Sequence, residues 1–139
     1  MPKSLTRLVY RSRSLVAPDD TTTVKAIFEI SRRNNKRDRI TGCLAQPDGH
    51  FTHVVEGPGV AIDALMARVV ADPRHDNIVI LGRWPAPGRL FESWVMALPD
   101  HTPLKEQSFR IINETGTGAQ VVSALLELTK RPGSLYGIL

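Results

Sequence analysis

Cysteine is nearly absent from this chain of 139 residues, where Cys43 stands alone. A single cysteine excludes a disulfide framework and any cysteine-based zinc site. No apolar run approaches the roughly 18–20 residues that a membrane span needs. The start, Met1-Pro2-Lys3-Ser4-Leu5, lacks the apolar stretch of a signal peptide, so a cytoplasmic location is expected. A phosphate-cradling glycine loop is missing too, because Gly57-Pro58-Gly59 is short and interrupted by proline. No nucleophile constellation or carboxylate pair stands out, and an enzyme is not expected.

The remaining composition is that of a globular protein, with 42% hydrophobic and 23% charged residues. Its length suits one compact domain. Net charge is +4, and the cations cluster, since Arg32, Arg33, Lys36, Arg37 and Arg39 fall within eight positions. Such a cluster reads either as a phosphate-binding patch or as a solvated helix end, where cations complement the macrodipole. No aromatic residue interleaves it, as a single-strand-binding platform would require.

Pattern along the chain predicts seven elements and a tail. Leu5 to Ser12 suits a first strand. Asp19, Asp20 and Thr21 to Thr23 supply caps for a helix whose Val24, Ile27, Phe28 and Ser31 share a face. Asn34 and Asn35 are candidate terminators of that helix. Arg39 to Gln46 and His50 to Glu56 flank Gln46-Pro47-Asp48-Gly49, a hairpin signal. A second helix carries Ile62, Leu65, Met66 and Val69 on one face and stops at Asp72-Pro73. Strands over Asn77 to Trp84 and Trp94 to Leu98 follow. The order β-α-β-β-α-β-β contains the ferredoxin-like split unit, an α+β fold with two helices on one face of the sheet. A further helix near Ala119 to Lys130 is expected to dock on the face left bare. Residues 1–100 are thus read as a core and 101–139 as a helical extension.

Strand parity sorts the polar side chains. Phe51, His53 and Val55 share one face, and His50, Thr52, Val54 and Glu56 share the other. His50 and His53 therefore cannot chelate one metal from a regular strand, and no metal site is expected. His53 should face the helices, as should Tyr10, which shares a face with Leu8. Trp94 pairs in the same way with Met96. Each would ordinarily fill core.

Taken in order, several fragments resemble the BLUF family, sensors of blue light that use flavin. They are Leu8-Val9-Tyr10-Arg11-Ser12, Ser31-Arg32-Arg33-Asn34-Asn35, Ile40-Thr41-Gly42, Phe51-x-x-x-Val55-Glu56-Gly57-Pro58, Asp72-Pro73-Arg74-His75 and Phe91-x-x-Trp94-x-Met96. The resemblance implies a flavin ring lying between the two helices, against the sheet. FAD is the implied cofactor, with FMN left open. The resemblance makes Tyr10 the redox partner and hydrogen-bond donor of the light reaction. It gives Asn35, beside Asn34, the flavin's polar edge, and makes Arg74 and His75 ring neighbours. Ile27, Ile62 and Leu65 complete the implied cofactor-binding set. Trp94 and Met96 are the strand-five residues that rearrange or compete as electron donors. Output is implied to pass to a protein partner or another copy of the chain; apart from the resemblance, no membrane is expected and the sequence does not favour nucleic acid.

The chain departs from the family pattern at the strand-three glutamine, whose place two residues after Phe51 is taken by His53. Neutral imidazole also has one donor and one acceptor, so a Tyr10–His53–flavin bridge is available. Imidazole cannot form the amide's imidic tautomer, and it brings proton uptake near its ordinary pKa of about 6.5. Arg39 stands where the family usually has glycine, and Gln46 where an aromatic is frequent. Two alternatives follow from these residues. One is a BLUF-fold interaction module that is light-insensitive or flavin-free because of His53. The other is a basic nucleic-acid-binding module on a ferredoxin-like sheet.

Overall fold

The computed structural model describes residues 4–17, 19–45, 49–97, 117–129 and 135–136. Among the described residues six strands form one sheet: β1 (Leu5–Ser14), β2 (Thr41–Ala45), β3 (His50–Pro58), β4 (His75–Ala86), β5 (Trp94–Ala97) and β6 (Leu135–Tyr136). Their order is β4-β1-β3-β2-β5-β6. All pairings are antiparallel except β2 with β5, which is parallel. The first four strands make the expected split unit. The two-residue β6, which carries too little pattern to be read locally, was not anticipated.

Helix α1 (Thr21–Arg37) starts where Asp20 accepts from the backbone N–H of Thr23 at 3.0 Å and from its hydroxyl at 2.6 Å. A cap of this kind contributes about 1 kcal/mol. Asn34 and Asn35 do not end the helix as expected. It runs to Arg37, with Asp38 as cap, and Arg39 takes the left-handed turn at φ 60°. Asn35 falls on the buried stripe with Ile27, which keeps its amide in the interior instead of at a helix end.

Helix α2 (Gly59–Ala71) buries Ile62 and Leu65 and lies with α1 over one face of the sheet. Helix α3 (Gly118–Thr129) covers the other, as expected. Its Val121, Val122 and Leu125 pack on Val9, Cys43, Ala45 and Val54. Burying a Val or Leu side chain is worth roughly 1.5–3 kcal/mol, so this layer is a principal source of stability. Gly118 permits the close seat of α3, because a Cβ there would lie 2.8 Å from the Leu81 carbonyl oxygen. The fourth strand is longer than its predicted Asn77–Trp84 core, and its start at His75 brings that residue into the sheet. The predicted turn at 46–48, the predicted strand and helix ends at Leu98 and Lys130, and the 101–116, 131–134 and 137–139 parts of the predicted extension lie outside the described residues.

Candidate functional site

Pleating places alternate residues of β1 and β3 on the helix-covered face, and register decides which of them meet. Tyr10 stands directly opposite His53, and Ser12 opposite Phe51. On the other side of β3, Leu44 of β2 faces His53, and Leu44 in turn neighbours Met96 of β5. Trp94 enters from β5 and reaches across β2 toward His53.

These side chains form a buried relay. The Tyr10 hydroxyl lies 3.0 Å from His53 Nδ1, and the Trp94 indole Nε1–H donates to His53 Nε2 at 2.9 Å. Tyr10 is 4% exposed, His53 3% and Trp94 8%. Both rings meet the imidazole edge-on. Burial pushes the His53 pKa down to about 3, with the nearby His75 adding to the effect. The expected proton uptake near 6.5 is therefore corrected. A cation at His53 would be shut away from water, and among the described residues it has no carboxylate bond to stabilise it. Burial, and then the Asp72 charge, push the Tyr10 phenol upward, so it holds its proton at neutral pH.

The relay borders a half-open cleft between α1 and α2. Ile27, Leu44, Phe51, Leu65 and Val69 form its apolar lining, and Ser31, Asp72, Arg74 and His75 its polar rim. His75 is held at both nitrogens, 2.6 Å from the Val69 carbonyl oxygen through Nε2 and 2.6 Å from the Ser12 hydroxyl through Nδ1. A carbonyl only accepts, so in neutral His75 the proton sits on Nε2 and Ser12 donates to Nδ1. Arg74 clamps Asp72, with Nη2 to Oδ2 at 2.6 Å, and its hydrogen bonds hold the Asp72 carboxyl below the usual range.

Asn35 is 1% exposed, and among the described residues neither its Nδ2 nor its Oδ1 has a partner. Leaving such a group unpaired costs roughly 1–3 kcal/mol. Ile27, Ser31 and Asn35 are spaced four apart along one stripe of α1, and the first two line the cleft. The pyrimidine edge of a flavin presents carbonyl acceptors beside an N–H donor, the complement of a free carboxamide. The apolar walls suit its flat ring. The residues present fit the group.

Not every expected site residue meets the cleft. Ile62 lies beneath it, packed with Tyr10, Val55 and Leu65. Met96 is buried in the apolar cluster of Phe28, Leu44, Phe51 and Trp94 and does not line the cleft. Asn34 is half-buried, and its carbonyl receives the Asp38 N–H that closes α1. Sequence reasoning did not name as site residues Ser31, Leu44, Phe51, Val69 and Asp72, which line the cleft, or Ser12, which bonds His75. Ser12 was legible from its parity with Leu8 and Tyr10, and Ser31, Phe51 and Val69 from their own helix and strand faces, whereas Leu44 and Asp72 depend on strand pairing and on Arg74.

A second polar cluster, unforeseen, lies on the opposite face. Arg7 donates through Nε and Nη2 to Glu56 Oε2 at 2.9 and 2.7 Å, and the backbone N–H groups of Leu90 and Phe91 donate to the same carboxylate at 3.0 and 2.9 Å. Its signal was register, because Arg7 and Glu56 are direct partners across β1 and β3. This cluster pins the segment that leads into β5. The cationic stretch of α1 matches the solvated-helix reading more closely. Arg37 pairs with Asp38 at 2.9 Å, and Arg32 lies 3.6 Å from Glu29 and over the Phe28 ring. Among the described residues no group of three metal-ligating side chains converges, and no helix is long and apolar enough to cross a membrane.

Comparisons with known proteins bear on the family and the fold. The family model described as BLUF, sensors of blue-light using FAD, matches residues 5–97. A photoactivated adenylate cyclase subunit beta of Euglena longa is 32% identical over 96 residues, 67% of this chain and 11% of that protein. The blue light- and temperature-regulated antirepressor BluF of Escherichia coli is 33% identical over 96 residues, 69% of this chain and 24% of that protein. The chain thus spans only a minor part of these relatives. Among solved structures, the dark state of BlrB, a BLUF protein, superposes with a TM-score of 0.73 at 31% identity, covering 91% of this chain and 96% of that one.

Proposed function

We propose, from the premise that this chain belongs to the BLUF family of blue-light sensors using FAD, that Tyr10, His53 and Trp94 are its light-responsive relay. The observation that carries this reading is the continuous hydrogen-bonded line from β5 through His53 to Tyr10 at the cleft. Bound FAD supplies blue-light absorption and an electron-accepting ring. Ile27, Leu65 and Phe51 hold that ring and exclude water from it. Asn35 anchors the polar edge, and Arg74 and His75 close the rim.

Tyr10 keeps its proton at Oη in the dark, because burial disfavours the phenolate. Light then changes which of Tyr10 Oη, His53 Nδ1 and His53 Nε2 carry protons. Trp94 is bonded to the last of these, so the change reaches β5. From β5 it passes to β2, to β6 and to the α3 layer packed against Val95. The relatives are a cyclase subunit and an antirepressor in which the matched stretch is a minor part. By analogy, the output of this module goes to a protein partner or a second copy in the cytoplasm.

An absorption spectrum of FAD-loaded protein tests the proposal, taken in the dark and after blue light. A flavin band that shifts to the red and recovers in darkness is the expected result. Tyr10→Phe, which removes one hydroxyl, should abolish the shift while FAD remains bound. A wild-type band that only bleaches, or a Tyr10→Phe protein that still shifts, would refute the relay.

A further inference from the structure

The two bonds to His53 have a direction. An indole N–H can only donate. At 2.9 Å from His53 Nε2 it requires a lone pair on that nitrogen, which excludes both the imidazolium and the Nε2–H tautomer. The one proton of neutral imidazole must then sit on Nδ1. Nδ1 lies 3.0 Å from the Tyr10 hydroxyl, so the N–H donates and the tyrosine oxygen accepts. We propose that Trp94 is a positioning residue that locks His53 as the Nδ1–H tautomer, which makes Tyr10 an acceptor from His53 and leaves the tyrosine's own proton for an acceptor in the cleft. Donation runs one way, from β5 to β3 to β1 and out to the ligand.

This inference rests on the relay reading above and adds the device that sets its polarity. It also ties that polarity to β5. The bond to Nε2 exists only while Trp94 is seated over β2. The chain entering β5 is held by the Leu90 and Phe91 amides on the buried Glu56 carboxylate. Withdrawal of the indole frees Nε2 to take the proton, and Nδ1 can then accept from Tyr10. The Trp94 bond is then lost and the Tyr10–His53 bond reverses, with no change in net charge. Burial favours the neutral ring throughout, and among the described residues no carboxylate bonds to it.

The test is nitrogen-15 spectroscopy of the histidine side chains in full-length, FAD-loaded protein kept in the dark. His53 signals are assigned by their loss in His53→Gln. The expected spectrum has a protonated Nδ1, an unprotonated Nε2 and a through-bond coupling from Trp94 Nε1 to His53 Nε2. A protonated Nε2, or absence of that coupling, would overturn the proposal with no variant needed. In Trp94→Phe the coupling is lost, and the Nε2 signal should move toward the protonated position. Methyl signals of Val9, Val54 and Val121 on the opposite face report that the variant is folded. An unchanged His53 pattern in folded Trp94→Phe would show that the indole does not set the tautomer. A protein with the expected tautomer but no light-induced spectral shift would refute the relay reading alone.

Discussion

The two buried polar clusters of this protein sit on opposite faces of the same two strands, and they are built to different ends. Arg7 and Glu56 form a charged pair whose carboxylate is saturated, taking two guanidinium bonds and two backbone bonds. Tyr10, His53 and Trp94 form a neutral line that ends with an unspent donor at the mouth of a cleft. A saturated ionic cluster resists change, because moving any member strands a charge in low dielectric. A neutral imidazole can move its proton from one nitrogen to the other without creating a charge, which suits a switch. In the relay proposed above, the two opposite faces thus divide the work into holding and switching.

Breaking the ionic cluster should give the largest effect. Glu56→Ala leaves Arg7 buried without its anion and should cost about 3–5 kcal/mol in urea unfolding. Replacing both, as Arg7→Met with Glu56→Leu, should recover part of that loss, since no lone charge remains. The Leu90 and Phe91 amides would still lack an acceptor. An equal loss in the single and double variants would show that stranded charge is not the cause.

The face that carries the relay should respond to pH through His53. The unfolded chain takes up a proton at histidine near pH 6.5, whereas folded His53 refuses it until about pH 3. Between those values the unfolded state holds more protons, so stability falls as pH falls. The contribution is about 1.4 kcal/mol per pH unit, hence roughly 2–3 kcal/mol between pH 6.5 and 4.5. His53→Gln should flatten this part of the stability profile. Asp20, Asp38, Asp72 and Asp76, all held below the ordinary carboxylate range, would still contribute at lower pH. A profile of the same slope in both proteins would contradict a neutral buried imidazole.

The smallest effect sharpens the comparison at the cleft itself. Asn35→Ala removes an amide that lacks partners among the described residues, so the stability of the protein without FAD should hold or rise slightly. FAD affinity, measured by fluorescence titration, should fall by about five- to tenfold, the worth of one net hydrogen bond. Lost stability with unchanged affinity would place the amide in the core and not at the ligand.

Much of the switching face was legible in one dimension. Period-two alternation placed Tyr10 and His53 toward the helices. Helical spacing put Ile27 and Ser31 on one stripe, and extending it by four reaches Asn35, although its residue type suggested a helix end. Side-chain type argued against the truth there, since asparagine is favoured at termini and disfavoured inside. The histidine's charge was also misjudged from sequence, because its ordinary pKa assumes water that the folded site excludes.

Local periodicity was enough to assign each residue to a face, since that depends only on the pitch of a strand or helix. It carried the element order and, with the family fragments, the class of ligand. It had no access to partnership. Arg7 meets Glu56 across 49 positions, and Trp94 meets His53 across 41. Such pairs exist because β3 lies between β1 and β2, while β5 lies beyond β2. Strand order and register are settled by the packing of the whole sheet between its helices, and they fix which donor meets which lone pair. For His53 that choice places the proton on one nitrogen and leaves the other to the indole.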